Sequence, residues 1–155
     1  MYKKIIALAV CWLVFQPTTA GAVSQNTIDI AWGEANRINN HKLNYVWGGG
    51  HTKIPSGPKA QARRNSGYDC SGAISRILYV SGLIKQSRVS TSYLNWGKRG
   101  SGKITIYVTY GHVFMGIRRG TRTRFFGTSP QNPGGGAGFF RPSKRYRAGF
   151  IKRQP

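Results

Sequence analysis

Tyr68-Asp69-Cys70-Ser71-Gly72 runs into Ala73-Ile74-Ser75-Arg76-Ile77-Leu78-Tyr79-Val80 and stops at Ser81-Gly82. Apolar residues at 73, 74, 77 and 78 share one helical face, so the stretch predicts a helix whose first turn carries a cysteine. The unpaired N–H groups and the dipole of a helix start favour negative charge there, which suits a nucleophilic thiol. Asp69 is positioned to cap this helix, and Gly72 keeps the approach to the sulfur open. A buried structural cysteine is the commoner role of a lone thiol. That role fits an apolar stripe better than a junction between an acid and Ser-Gly.

The N-terminus predicts export. Met1 to Lys4 is basic, Ile5 to Phe15 is apolar, and Ala20-Gly21-Ala22 supplies the small residues of a cleavage site. This pattern predicts a signal peptide over 1–22 and a single domain over 23–155. Cys11 leaves with the leader, so Cys70 has no partner for an internal disulfide, although export favours disulfides. The expected location is secreted or periplasmic.

Composition excludes several chemistries. The only acids are Asp29, Glu34 and Asp69. Glycoside hydrolysis usually needs two facing carboxylates, and Asp29 and Glu34 lie five apart on one predicted helix. His41, His51, His112 and Cys70 lack the short spacings of a zinc site, so neither a metal nor another cofactor is expected. Gly97-Lys98-Arg99-Gly100-Ser101-Gly102-Lys103 approaches a phosphate-binding loop. Ile104 stands where Ser or Thr would hold magnesium, and a strand follows instead of a helix, so the segment reads as a basic turn.

The formal net charge of +21 falls to +19 once Lys3 and Lys4 leave with the leader. Such a chain adheres to polyanions. For an exported protein, anionic envelope polymers are the expected partners. The basic residues form no helical stripe and accompany no nucleic-acid motif, so no specific nucleic acid is expected. A monomer is expected.

Ile28, Ala31, Trp32, Ala35 and Ile38 predict a first helix, capped by Asn26 with Asp29 and ended by Asn39-Asn40. Tyr45-Val46-Trp47-Gly48-Gly49-Gly50 reads as a tight loop, 52–67 as an exposed loop and 83–102 as irregular. Strands are expected at 104–109, 112–118, 122–126 and 146–152, with a turn at Arg119-Gly120 and a glycine-rich loop over 133–138. Helices first and antiparallel strands after predict an α+β domain with the helices on one face of the sheet. His112, opening a strand after Gly111, is the best general base for Cys70. His41 and His51 are assigned structural or substrate-side roles.

The ordered motifs YVWGGG (45–50), YDCSG (68–72) and GHVFMGI (111–117) resemble the NlpC/p-sixty family of cell-wall cysteine peptidases, in a divergent branch. The resemblance implies a papain-like α+β core with Cys70 as nucleophile and His112 as general base. It implies that the Tyr45 hydroxyl helps hold the oxyanion with the Cys70 backbone N–H. It further implies peptidoglycan stem peptides as substrates, with Asp69, Ser71 and Trp47 on the substrate side. Two departures stand out. The strand before His112, KITIYVTYGH, has no acid, and no polar residue falls at the family's third catalytic position. Thr128, Ser129, Gln131 or a backbone carbonyl are the substitutes in reach, and the expected hairpin register favours Thr128. Acyl transfer by the same thiol, and a catalytically silent cationic envelope-binding module on the same fold, are the alternatives.

Overall fold

The computed structural model describes residues 23–51 and 67–155; the expected signal peptide and nearly all of the expected 52–67 loop lie outside them. Among these residues, three helices, α1 (Gln25–His41), α2 (Cys70–Val80) and α3 (Lys144–Ala148), combine with six strands. The strands are β1 (Lys98–Arg99), β2 (Ile104–Val108), β3 (Val113–Arg119), β4 (Arg122–Thr128), β5 (Ala137–Phe140) and β6 (Ile151–Gln154). They form one antiparallel sheet in the order β1-β6-β2-β3-β4-β5, so the molecule is α+β as expected.

α1 begins where the Ser24 hydroxyl accepts from the Thr27 N–H at 3.1 Å. The expected cap at Asn26 is thus two residues late, and Asp29 instead accepts from Arg119 and Gln25. The helix ends at Lys42 in the left-handed region, φ 49°. Asn39, near its end, accepts from the Phe139 N–H and ties the helix to β5.

The main core lies between α1 and α2 and one face of the sheet. Ile28, Ala31, Ala35 and Ile38 of α1 and Ala73, Ile74, Ile77 and Leu78 of α2 meet Ile104, Ile106, Val113, Met115, Ile117 and Phe126. The opposite face is also covered. Tyr107, Phe114 and Phe140 form a second apolar layer with Phe125 and Phe150, roofed by α3 through a stack of Tyr146 on Phe114. Every residue of β2 is therefore buried, Thr105 included.

Three expectations need correction. The loop expected over 133–138 ends early, because Ala137 already begins β5, an edge strand. The strand over 146–152 is a short helix followed by β6, because Ser143 caps α3 by accepting from the Tyr146 N–H. The irregular 83–102 stretch holds a 3-10 turn at Ser90–Tyr93 and the two-residue β1, which the partner strand β6 imposes. The helices also do not share one face, since α3 covers the side away from α1 and α2.

Candidate active site

Cys70 is the first residue of α2. Asp69 caps the helix, its Oδ1 accepting from the Gly72 N–H at 2.7 Å. The first turn is built for contact with backbone. A Cβ on Gly72 would stand 2.0 Å from the Gly49 carbonyl oxygen, and one on Gly50 would stand 2.9 Å from Gly72 Cα. The Asp69 N–H donates to the same Gly49 carbonyl at 3.1 Å, and the Val46 N–H donates to Tyr68 O at 3.2 Å. The glycines of the two motifs thus answer one another: the 45–50 loop lies directly on the start of α2, closer than any side chain permits.

That docking sets Tyr45 beside the thiol. The Tyr45 phenol is raised above its ordinary pKa by burial first, and then by the negative charge of Cys70 and Asp69. Tyr146, from α3, is likewise raised by burial and then by Cys70. Two tyrosines from opposite sides of the chain therefore feel the sulfur. Trp47, on the same loop, is 88% exposed.

Cys70 is 8% exposed, and its Sγ lies 3.4 Å from the Ser90 hydroxyl. No hydrogen bond among the described residues joins it to His112. The His112 ring lies on the Phe114 face of the sheet, with ring centroids 6.3 Å from Phe114 and 6.2 Å from Phe150. The Phe150 and Tyr146 ring centroids lie 5.1 Å apart, so His112, Phe150 and Tyr146 follow one another across this face. Burial lowers the His112 pKa and favours a neutral imidazole.

The register decides what stands level with that imidazole. β3 and β4 pair Met115 with Phe126 and Gly116 with Phe125. Phe114 then faces Gly127, where an added Cβ would come within 2.7 Å of the Phe114 Cβ. Continued further, the register puts Thr128 opposite Val113, on the main-core face, and Ser129 level with His112. By register, Ser129 and not Thr128 stands level with His112. The Ser129 Oγ already accepts from the Gln131 N–H at 3.2 Å, and the Gln131 side chain is occupied by the Arg141 backbone. No side chain hydrogen-bonds the His112 ring among the described residues.

A second histidine matters more than its sequence position indicates. His51 Nε2 lies 3.0 Å from both Asp69 Oδ1 and Ser71 Oγ, and its Nδ1 lies 2.9 Å from Ser87 Oγ. Ser71 also donates to Asp69 Oδ1 at 3.1 Å. Asp69 and Ser71, expected on the substrate side, are thus engaged in a network that fastens the glycine loop, the start of α2 and the 85–89 segment together. His51 directly follows the glycine triplet, which was the available signal. Ser87 and Ser90 lie in a stretch without periodicity, so nothing in the sequence marked them. His41, at the end of α1, lies outside this network. No group of three or more His, Cys, Asp or Glu gathers among the described residues, so they offer no metal cluster.

No family model matches the chain, and no curated protein is similar to it. Among solved structures, the chain is similar to a protein of Staphylococcus aureus subsp. aureus Mu50 described as similar to lipoprotein, NLP/P60 family. The identity is 20% and the TM-score 0.58, covering 90% of this chain and 45% of that one. The likeness is one of fold. This chain spans less than half the length of that protein.

Proposed function

We propose that the chain is an exported cysteine amidohydrolase that cleaves peptidoglycan stem peptides. The observation that carries this reading is the free Cys70 at the start of a capped helix, docked by backbone contact against the loop that bears Tyr45. The fold likeness to an NLP/P60 family protein suits a cell-wall peptidase. The strongly basic chain suits anionic envelope polymers and a secreted or periplasmic site of action, as a monomer.

In this reading His112 takes the thiol proton and Cys70 Sγ attacks the scissile amide carbonyl. The Tyr45 hydroxyl and the Cys70 backbone N–H stabilise the oxyanion. His112 returns its proton to the leaving amine, the C–N bond breaks, and water then releases the acyl group from the sulfur. Catalytic hydrogen bonds are often long in unliganded sites and tighten with substrate, so the open Cys70–His112 pair is compatible with this sequence. The His112 ring meets aromatic rings and no hydrogen-bonding side chain among the described residues, which favours the second reading: a catalytically silent envelope-binding module. Acyl transfer to an amine in place of water uses the same steps to the acyl-enzyme.

Digestion of purified peptidoglycan, with mass spectrometry of the products, separates these readings. Amide hydrolysis is expected, abolished by Cys70→Ser with the fold intact. His112→Ala should behave alike, and the double variant should cost little more than either alone. Wall binding without any released product would establish the silent module. Products carrying an added amine would establish transfer.

A further inference from the structure

At the far end of β4 and β5 from Cys70 lies a groove of about 390 Å³ lined by Arg122, Arg124 and Arg141 with Phe125, Phe139 and Phe140. Arg122 and Arg124 alternate on β4 and so share one face. β4 pairs Phe126 with Phe139 and Phe125 with Phe140, so the register continues to Arg124 opposite Arg141. Like charges directly opposite across a ladder are destabilising. No carboxylate side chain among the described residues neutralises them. All three acids are engaged elsewhere: Asp29 with Arg119, Glu34 with Arg37 and Arg76, and Asp69 with His51.

Arg124 is also held in place. Its guanidinium lies 3.4 Å from the Phe139 ring centroid and 5.6 Å from that of Trp32, and Nη1 donates to Asn36 Oδ1 at 3.3 Å. A fixed guanidinium loses less freedom when a ligand arrives.

We propose that this groove is a second binding site, separate from the Cys70 site, for a polymer bearing phosphodiester groups. Three guanidiniums around one cavity exceed what a single carboxylate neutralises, and their planar forks match phosphate oxygens in two-point contacts. The groove opens along the sheet edge, because β5 is the last strand of the sheet. Arg122 and Arg124 stand about 7 Å apart along it, an interval that successive charges on an extended chain can meet. Nucleic-acid single strands fit less well. Base stacking needs a free aromatic face, whereas Arg124 covers Phe139 and Arg147 lies 4.6 Å from the Phe125 centroid. The assignment rests on the groove alone and does not depend on the chemistry of Cys70.

The test uses soluble poly(glycerol phosphate) and two double variants of equal charge change. Arg122→Gln with Arg141→Gln empties the groove of two charges. Lys98→Gln with Arg99→Gln removes two exposed charges from β1, at the opposite sheet edge. The groove variant should lose about 10-fold in affinity at moderate salt. Its slope of log affinity against log salt should become shallower by about 1.4, at roughly 0.7 per lost contact on a flexible strand. The β1 variant should stay within about twofold of the parent. Titration with inorganic pyrophosphate should move the Nε–H resonances of Arg122, Arg124 and Arg141 before those of other arginines. Equal losses in the two variants, with both folded by circular dichroism, would overturn the proposal in favour of net charge alone. Binding to anionic lipid vesicles or to single-stranded DNA without binding to the polymer would also overturn it.

Discussion

Gly72→Ala and Gly33→Ala are the same substitution inside two helices, and the structure gives them opposite signs. At Gly33, on α1, nothing lies within 4 Å of an added Cβ. The methyl enters open space and helix propensity alone acts, a gain of up to about 1 kcal/mol. At Gly72 the methyl would stand 2.0 Å from the Gly49 carbonyl oxygen and 3.0 Å from Gly50 Cα. Both are backbone, so no side chain can swing away, and the 45–50 loop must lift by more than an ångström. Overpacking of this kind costs about 1–3 kcal/mol. Lifting Gly49 also breaks the hydrogen bond its carbonyl accepts from Asp69, worth about 1 kcal/mol. Less the propensity gain, Gly72→Ala should destabilise by about 2 kcal/mol, a fall in Tm of roughly 8 °C for a domain of this size. Thermal and urea unfolding of both variants would measure the pair. A Gly72→Ala variant as stable as Gly33→Ala would refute the idea that loop and helix dock through their backbones.

Other outcomes follow from single groups. His51→Ala removes contacts to Asp69, Ser71 and Ser87 at once; a loss of about 2 kcal/mol is expected, with faster amide exchange at 47–50 than in the parent. Glu34→Ala strips the carboxylate from buried Arg76 and from Arg37, whose guanidiniums hold Glu34 below its usual value although burial alone would raise it; urea unfolding should show a loss of about 3 kcal/mol. For His112, the unfolded imidazole takes up its proton near 6.5 and the buried one only at lower pH. Unfolded chains therefore bind more protons below that point, so stability should fall as pH drops through it, and His112→Gln should flatten that dependence in denaturant titrations. The Tyr93 phenol is pushed up from 10.0 to about 12, so it steadies the fold below pH 10 and that contribution fades as pH climbs toward 12; Tyr93→Phe should remove this alkaline decline at a cost of about 1 kcal/mol at neutral pH.

The α2 helix, its Asp69 cap and the β3–β4 hairpin are legible in the sequence because each rests on local chemistry: apolar spacing, a capping carboxylate and a tight turn at Arg119-Gly120. β1 and β5 are not, since partners far along the chain decide them. β5 reads as glycine-rich loop until Asn39 and β4 supply its hydrogen bonds. α3 hides behind aromatic residues that look strand-like, and only the Ser143 cap and the apolar layer beneath it explain the helix. At the site, Cys70, His112 and Tyr45 are visible as chemistry-bearing residues. The one-residue difference between Thr128 and Ser129 is set by strand register, and one step reverses the face on which a side chain stands. The His51 network needed three segments to converge, which no spacing within one of them reveals.

The described residues on either side of 52–66 are fastened to each other. A Cβ on Gly49 would lie 2.4 Å from the Gly67 carbonyl oxygen, one on Gly67 would lie 1.6 Å from the Asn44 carbonyl, and His51 is tethered to Asp69. Positions 51 and 67 are therefore held close together by the folded domain itself. Extra residues placed within a loop closed at its base cost little, about 0.6 kcal/mol for each doubling of length. The number of residues between 51 and 67 can thus change with little effect on the contacts that hold those two positions. A protease cut there should leave two fragments that stay together as one folded, binding-competent body.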